Sequence, residues 1–552
     1  WKLPTAWYDS LPRQEETPPL LFRGVDLLRV TFLVEAIVFA WLAMVDWRYE
    51  PTSPSERLTP AVVNAPFDLS SANARTLLII LTIVGAFLRA YHLGSDLWLD
   101  EISPVVDYGP MPFVQVMGSY LRTNNHLLNT LLFKLSIGVF GESEWAIRLP
   151  AVLFGVATIP AMYWLSRTIL SRWASVGAAA ILTASYHHVF FSQNARGYSA
   201  YLFFSIIATA LLIRAISEDR PWQWILYVLA MVFGFASLAN MAFVFAGHAV
   251  VATAAVIRVR RSGGRGTALA RRLTIVFAAA GFLSFQIYAA PLPEMYAVIS
   301  HLYVREATGF APFTMEFVSE IARGLAAGFG GILPAVVLVL IGLAGIAFLF
   351  VRNPFITSAL ALPPVLTAVF LLARGLSFSP RFFLLLIPLA VLTIMSIVEM
   401  SWVRPPNPVS IRNAAHPRRA GIVGFCLAFA SLFTLPAYYR TPKQPYRAAI
   451  QYIESVRTPG EPVVVIYAAG TGMKYYTRRL GVSGEHKYEY TRTLSAFDSL
   501  TRSGKALVVT TFPRVIRADL PDVSRRLSTD WYPQRVFPAT IGGGEITVWS
   551  KK

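Results

Sequence analysis

Long apolar segments separated by clusters of arginine constrain this chain more than any other feature. About eleven such segments have close to 20 residues, enough at 1.5 Å rise per residue to cross a bilayer core of about 30 Å. Of the 552 residues, 55% are hydrophobic and 14% are charged, a composition too apolar for a soluble globular protein. We therefore predict a polytopic α-helical membrane protein of about 11–12 spanning helices. The expected spans are residues 76–93, 148–167, 174–193, 198–215, 222–239, 241–257, 273–290, 331–351, 355–373, 382–402 and 420–436.

The arginine clusters predict which way the chain is oriented. If the loop after the first span is external, the arginines within 167–172, 258–272 and 404–419 are all cytoplasmic, as the positive-inside rule prefers. The net charge of +18 is thereby explained by membrane orientation, and no nucleic acid is expected as a partner. This orientation requires that residues 126–140, a polar-interrupted segment of about 15 residues, do not cross the membrane. We predict an interfacial helix there, with residues 111–121 as its partner.

Composition divides the chain into three parts. Residues 1–75 form an N-terminal segment with an additional membrane or interfacial helix near 27–45. Residues 76–436 form the transmembrane domain, whose first external loop is 94–147. Residues 437–552 alternate helix and strand patterns and predict a small extracytoplasmic α/β domain. The single cysteine, Cys426, excludes an intrachain disulfide and a cysteine metal cluster.

Asp100 and Glu101 stand just beyond the first span, in a chain with only 31 acidic residues. An aspartate after a helix end is commonly a cap or turn residue. A carboxylate beside an apolar external loop is also a candidate general base, and Asp100 is the first candidate for chemistry. Glu101 has three interpretations: it orients the base, it binds a hydroxyl group of a substrate, or it is a solvated loop residue.

Polar side chains in three other external turns are expected to meet this pair. External arginines run against the positive-inside bias, and an anionic ligand at the bilayer surface would account for them, because the planar guanidinium suits phosphate oxygens. Considered one at a time, Arg196 and Arg381 are explained equally well as anchors for lipid headgroups. His126 is explained equally well as a capped interfacial residue. The candidate substrate-binding residues are Asn125, His126, Gln193, Arg196, Tyr198, Arg374 and Arg381.

Several of these residues lie in motifs that resemble the GT-C superfamily of membrane glycosyltransferases. The chain is similar to bacterial protein O-mannosyltransferases and lipid A aminoarabinose transferases, the glycosyltransferase family 39-like proteins. The resemblance extends from residue 76 to about residue 550. Where relatives often have His-Pro-Pro, this chain has a leucine pair after His126. The motifs are Arg89 with Leu93-Gly94, residues 97–101, residues 141–150, Arg196 with Tyr198, residues 380–383 with Ile387-Pro388, and residues 446–449.

The resemblance implies a sugar donor carried on a polyprenyl phosphate and transfer on the extracytoplasmic face of a bacterial inner membrane. Asp100 would then take the proton of an acceptor hydroxyl, and Arg196 and Arg381 would stabilise the departing lipid phosphate. The acceptor is a glycan, a lipid or a protein. No nucleotide is required, and the sequence has no phosphate-cradling glycine loop.

Two other classes of function stay open at this point. The first is a transporter or flippase of a lipid-linked substrate, although the polar candidates collect at one membrane face rather than at the midplane. The second is a non-catalytic membrane scaffold. The sequence identifies no cofactor; a divalent cation is left open by the external acidic and histidine residues, but no close ligand spacing calls for one.

Overall fold

The computed structural model describes residues 23–44, 68–121, 125–261, 263, 266–305, 314–375, 378, 380–400, 417–482, 488–502 and 505–552. Most of these residues are helical, and the strands are confined to the C-terminal region. The predicted architecture, a polytopic helical membrane protein with a small C-terminal α/β domain, is confirmed.

The helices up to the end of the transmembrane region are numbered in chain order. They are α1 (Gly24–Met44), α2 (Ser71–Ala90), α3 (Leu99–Tyr108), α4 (Phe113–Gly118), α5 (Leu127–Phe140), α6 (Glu144–Ser166), α7 (Arg172–Ala184), α8 (Tyr186–Ser192), α9 (Tyr198–Glu218), α10 (Pro221–Ser237), α11 (Met241–Arg261), α12 (Thr267–Ala289), α13 (Leu292–Arg305), α14 (Met315–Phe329), α15 (Ile332–Arg352), α16 (Pro354–Ala373), α17 (Leu386–Met400), α18 (Pro417–Leu432) and α19 (Leu435–Arg440). A short 3₁₀ helix, Pro380–Phe383, lies between α16 and α17.

Within the described part of the chain, eight helical stretches are long and apolar enough to cross a membrane, including α18 and α19 taken together. Two of the other expected spans correspond to the shorter helices α10 and α17, and a third is divided into α7 and α8. Helix α1 packs against α12 and α13, so the N-terminal segment contributes a helix to the bundle. The rest of the predicted N-terminal segment, residues 1–22 and 45–67, lies outside the described residues.

The break between α7 and α8 is stabilised by an arginine from the end of α2. Ending α7 at Ala184 leaves carbonyls without their helical partners, which is costly in an apolar surrounding. The buried guanidinium of Arg89 donates to the carbonyls of Leu182 and Thr183 at 3.2 and 3.1 Å. It also donates to Gly85 in its own helix. Arg89 thereby fixes the start of α8, which leads into the turn at residues 193–197.

Helices α3, α4 and α5 fill the first predicted external loop. The expected interfacial helices correspond to α4 and α5. Helix α3 was not expected, and it places Asp100 and Glu101 in its first turn rather than in an extended loop. A buried glutamate in the first turn of α3 favours this helix start, because Glu101 accepts a hydrogen bond from the backbone N–H of Trp98.

The C-terminal domain combines one mixed sheet with five helices. Strands β1 (Val463–Ile466), β2 (Tyr488–Thr491) and β3 (Leu507–Thr510) are parallel, and β4 (Trp531–Phe537) and β5 (Ile546–Lys551) complete the order β2-β1-β3-β5-β4 through antiparallel pairs. The helices are α20 (Tyr446–Val456), α21 (Ala469–Arg479), α22 (Leu494–Thr501), α23 (Pro513–Asp519) and α24 (Pro521–Asp530).

The core of this domain continues into the loop that carries Asp100. Leu97 and Ile102, on either side of that residue, belong to the same buried apolar cluster as Tyr446 of α20 and Tyr476 of α21. Burial of a large apolar side chain stabilises a structure by about 1.5–3 kcal/mol. The predicted external loop and the C-terminal domain are therefore one packed unit.

Two glycines allow a close contact between α7 and α18 and provide a test of the packing of the bundle. A Cβ built at Gly424 of α18 would lie 2.5 Å from the Cα of Gly177 in α7, whereas one built at Gly342 of α15 meets no atom within 4 Å. We expect Gly424→Ala to lower the free energy of unfolding by about 1–3 kcal/mol through overpacking. Gly342→Ala is expected to raise it by about 0.5–1 kcal/mol, since glycine destabilises a helix interior. Denaturation with sodium dodecyl sulfate measures both; similar changes would contradict this packing.

Candidate functional site

Arg148, in the first turns of α6, organises the loop between α2 and α3. Its guanidinium donates to the backbone carbonyls of Leu93, Ser95 and Asp96 at 2.9, 2.7 and 2.9 Å. It also forms a bidentate ion pair with Glu101 at 2.8 and 2.7 Å. Because both side chains are almost fully buried, each charge depends on the other for compensation. Arg148 therefore fixes the backbone that leads into Asp100.

Glu101 joins three parts of the site. Besides Arg148, its Oε1 atom accepts from the backbone N–H of Ala195 at 2.7 Å and lies 3.6 Å from Nζ of Lys443. Burial raises the pKa of Glu101, but the charges of Arg148 and Lys443 and these hydrogen bonds lower it to about 2. The ionised Glu101 thus stabilises the fold at neutral pH, and this contribution is lost as the pH falls from about 4.5 towards 2. Glu101 is a buried structural carboxylate, not a solvated loop residue.

Asp100 lies at the centre of the remaining candidates. Its Oδ2 atom accepts a hydrogen bond from Arg381 at 3.1 Å, and the two side chains are 16% and 38% exposed, so the pair is reachable from solvent. Arg196, which is buried, donates to the backbone carbonyl of Asp100 at 3.2 Å. Tyr198 interacts with the Arg381 guanidinium and lies 5.7 Å under that of Arg196. The structure thus brings together one carboxylate, two arginines and a tyrosine from three distant segments.

His126 packs edge-on against the Tyr198 ring, with 5.3 Å between the ring centroids. Burial and the charges of Arg196 and Arg381 lower the pKa of His126 well below its usual range, so the imidazole is neutral. Its Nδ1 atom lies 3.2 Å from the carbonyl of Ser237. Since a carbonyl only accepts, Nδ1 carries the proton and Nε2 is a hydrogen-bond acceptor. Among the described residues, Nε2 has no partner.

A glycine makes this arrangement sterically feasible. A Cβ at Gly197 would lie 2.0 Å from the carbonyl oxygen of Ser237 and 2.9 Å from Nδ1 of His126. The turn before Tyr198 therefore approaches α10 and the histidine more closely than any larger residue allows.

Gln193 and Asn125 have structural contacts. The Gln193 amide donates to the carbonyls of Arg89 and Tyr91 at 2.9 and 2.7 Å, which joins the start of the site loop to the end of α8. Asn125 accepts from Thr130 at 3.0 Å and so stabilises the start of α5. These contacts position the backbone around His126 and Arg196.

Arg374 is the one candidate that the described contacts do not connect to Asp100. It follows the last residue of α16, and its side chain is exposed. The same turn nevertheless carries Arg381 into the site, through the 3₁₀ helix that follows.

The segment before the C-terminal domain supplies two residues that sequence reasoning missed. Lys443 is buried between the Gln193 carbonyl, to which it donates, and Glu101. Burial lowers the pKa of Lys443 to about 7, against the opposing charge of Glu101. Gln444 accepts a hydrogen bond from the backbone N–H of Leu99 at 2.7 Å, one residue before Asp100. No local pattern marks a lysine and a glutamine in a connecting segment as site residues.

The C-terminal domain makes further contacts with the same loop. The hydroxyl of Tyr476 accepts from the backbone N–H of Leu97 at 2.6 Å. Arg447 donates its backbone N–H to Asp96 at 2.8 Å, and its side chain pairs with Asp96 and Glu144. The domain therefore holds the backbone immediately before the α3 helix.

The described residues include no group of three or more His, Cys, Asp or Glu side chains that could hold a metal ion. Arginine and tyrosine, rather than metal ligands, surround Asp100.

The buried ion pair at Arg148 leads to a stability prediction. We expect Arg148→Met to lower the free energy of unfolding by about 3–5 kcal/mol, because Glu101 is left buried with only Lys443 as a counter-charge. The matched control is Arg525→Met, which removes a solvent-exposed pair with Asp522 and is expected to have little effect. Both are measured by detergent denaturation. Equal effects of the two substitutions would show that Arg148 does not support the loop.

Residues 127–288 match the family model described as dolichyl-phosphate-mannose-protein mannosyltransferase. This segment includes α5 to α11 and nearly all of α12, and it contains Arg148, Arg196 and Tyr198. No individual curated protein matches the chain in sequence.

Several solved structures are similar to this chain at low sequence identity. ArnT from Cupriavidus metallidurans in the apo state is 14% identical, with a TM-score of 0.49, over 87% of this chain and 98% of that one. The archaeal oligosaccharyltransferase AglB from Archaeoglobus fulgidus, in complex with an inhibitory peptide and a dolichol-phosphate, is 13% identical over 87% and 74%, with a TM-score of 0.46. The S. cerevisiae protein O-mannosyltransferase Pmt1-Pmt2 complex, bound to the sugar donor, is 14% identical over 45% and 36%, with a TM-score of 0.35. The match of residues 127–288 to the mannosyltransferase family model supports the resemblance to membrane glycosyltransferases.

Proposed function

We propose that this protein is a glycosyltransferase that moves a sugar from a polyprenyl-phosphate donor to an acceptor hydroxyl on the extracytoplasmic face of a bacterial inner membrane. One observation carries the proposal: the Asp100 carboxylate lies 3.1 Å from Arg381, with Arg196 and Tyr198 beside them. A carboxylate next to two arginines provides a base and a phosphate-binding site in the same place.

The reaction needs both functions at once. The acceptor oxygen forms a bond to the anomeric carbon while the bond from that carbon to the phosphate oxygen breaks. Asp100 takes the proton from the attacking hydroxyl, and the lipid phosphate leaves with the electron pair of the broken bond. Arg196 and Arg381 stabilise the negative charge that develops on this phosphate. A single direct displacement of this kind inverts the sugar configuration.

Donor binding would break the ion pair between Asp100 and Arg381 and so make the carboxylate available as a base. In the ligand-free site, Arg381 donates to the carboxylate oxygen that must later accept a proton. A phosphate that binds Arg381 competes with Asp100 for the same guanidinium N–H groups. Donor binding would therefore release the carboxylate, so that the base is fully available only when donor is present.

His126 has a different role in this proposal from the arginines. Because Nε2 is an acceptor, it suits a sugar hydroxyl better than a phosphate oxygen, which has no proton to donate at the pH where it is ionised. We therefore assign His126 to recognition of the donor sugar. Gln193 and Asn125 would act through the backbone that they hold, and Arg374 would contact lipid headgroups at the membrane surface.

Replacing the proposed base tests the mechanism. We expect Asp100→Asn to reduce transfer by about 10²–10⁴-fold, because the amide keeps the shape but cannot accept the proton. Asp107→Asn, in the last turn of the same helix, is the matched control and is expected to keep wild-type activity. The measurement is the release of undecaprenyl phosphate from a panel of undecaprenyl-phosphate-linked hexoses and pentoses, incubated with purified protein and a bacterial envelope extract.

Two outcomes would contradict the proposal. Wild-type transfer by Asp100→Asn would exclude Asp100 as the base. Movement of the labelled donor across a proteoliposome membrane, without consumption of its sugar, would favour a transporter instead.

A further inference from the structure

A cavity of about 400 Å³ lies beside the Arg148-supported loop between α2 and α3. Its walls come from the loop after α2, from Gln193, and from the segment that joins α19 to the C-terminal domain. Its volume is within the range of small-molecule sites. None of Asp100, Arg196, Tyr198 and Arg381 lines it, so it is separate from the proposed transfer site.

The positive charges around this cavity outnumber the carboxylates that are available to pair with them. Asp96 lines it, but both carboxylate oxygens of Asp96 already accept from Arg447. Lys443 shares its carboxylate partner, Glu101, with Arg148. Among the described residues no carboxylate forms an ion pair with Arg440, the last residue of α19, which also lines the cavity.

The cavity also lies where two membrane-spanning segments end. Helix α2 ends at Ala90, and the apolar stretch of α18 and α19 ends at Arg440. Between these ends Tyr91 and Tyr439 pack edge-to-face at 4.9 Å, and the Tyr439 hydroxyl donates to the Leu88 carbonyl. Tyrosines in such positions are typical of the boundary between hydrocarbon and lipid headgroups. A ligand in this cavity would therefore lie at headgroup depth.

We propose that this cavity binds the anionic phosphate headgroup of a lipid, with Arg440 as its cation. Arginine suits a phosphate group because it offers several N–H donors in one plane. His92 and the two tyrosines that line the cavity provide further polar groups for the rest of the headgroup. The phosphate group belongs either to a membrane phospholipid or to a free phosphate ester, which have the same recognition chemistry.

Ligand binding in this cavity is expected to affect transfer, because the loop that lines the cavity also leads to the proposed transfer site. Gly94, Ser95 and Asp96 line the cavity, and Arg148 holds the same backbone in register with Glu101. A headgroup bound there would contact this loop and stabilise it further. The binding itself does not depend on the transfer reaction.

Native mass spectrometry of the purified full chain tests this site. With phosphatidylglycerol as the probe, we expect wild-type protein to retain the lipid about tenfold more strongly than the Arg440→Gln variant, which loses one charge-assisted hydrogen bond. Arg440→Lys is expected to keep most of the binding. The matched control is Arg517→Gln, which removes an exposed arginine of α23 that is not a cavity residue.

The remaining probes separate the outcomes. Competition by glycerol 3-phosphate would support the site and identify a free phosphate ester as sufficient, whereas retention of phosphatidylglycerol alone would support it as a lipid site. Equal binding of zwitterionic phosphatidylcholine, or unchanged phosphatidylglycerol binding by Arg440→Gln, would overturn the proposal. Asp100→Asn is expected to bind phosphatidylglycerol normally, so failure here is distinguishable from failure of the transferase proposal.

Discussion

The buried ion pair between Arg148 and Glu101 is the interaction on which the rest of the site depends. A buried arginine is costly unless its donors are all satisfied. Here the guanidinium is satisfied by one carboxylate and by the carbonyls of the loop that leads into α3. The loop carbonyls and Glu101 therefore satisfy the Arg148 guanidinium, and the guanidinium in turn fixes the loop backbone. Removal of Glu101 would leave the arginine buried without its counter-charge, and a change in the loop path would leave it without carbonyl acceptors, so this contact helps to fix the position of Asp100.

The C-terminal domain and the segment that leads into it contribute to the site through the same loop. Gln444 and Tyr476 accept from backbone N–H groups on the approach to Asp100, and Lys443 shares Glu101 with Arg148. These contacts connect residues more than 340 positions apart in sequence. We infer that the domain positions the proposed base, whatever else it binds. Asp100 is thus held between the helical bundle and a folded domain. Its side chain is only partly exposed to solvent.

Features that the bilayer imposes could be predicted from the sequence, whereas features that arise only from tertiary contacts could not. Apolar length and arginine clusters predicted the helical membrane architecture, because the bilayer imposes both. The buried apolar residues of β1 are typical of a strand, whereas the edge strands β2, which is half-buried, and β4, which is mostly exposed, have no such pattern. Helix α3 was missed because Pro104 lies inside it, where proline normally disfavours a helix. Lys443 and Gln444 were missed because their roles come only from tertiary contacts.

We propose that a lipid phosphate and Asp100 compete for Arg381, so that donor binding frees the base. A structure of the protein with undecaprenyl phosphate tests this competition directly. We expect a phosphate within about 3.2 Å of both Arg196 and Arg381, and a separation between Arg381 and Asp100 longer than the 3.1 Å of the ligand-free site. A phosphate bound elsewhere, with the contact between Asp100 and Arg381 intact, would contradict it.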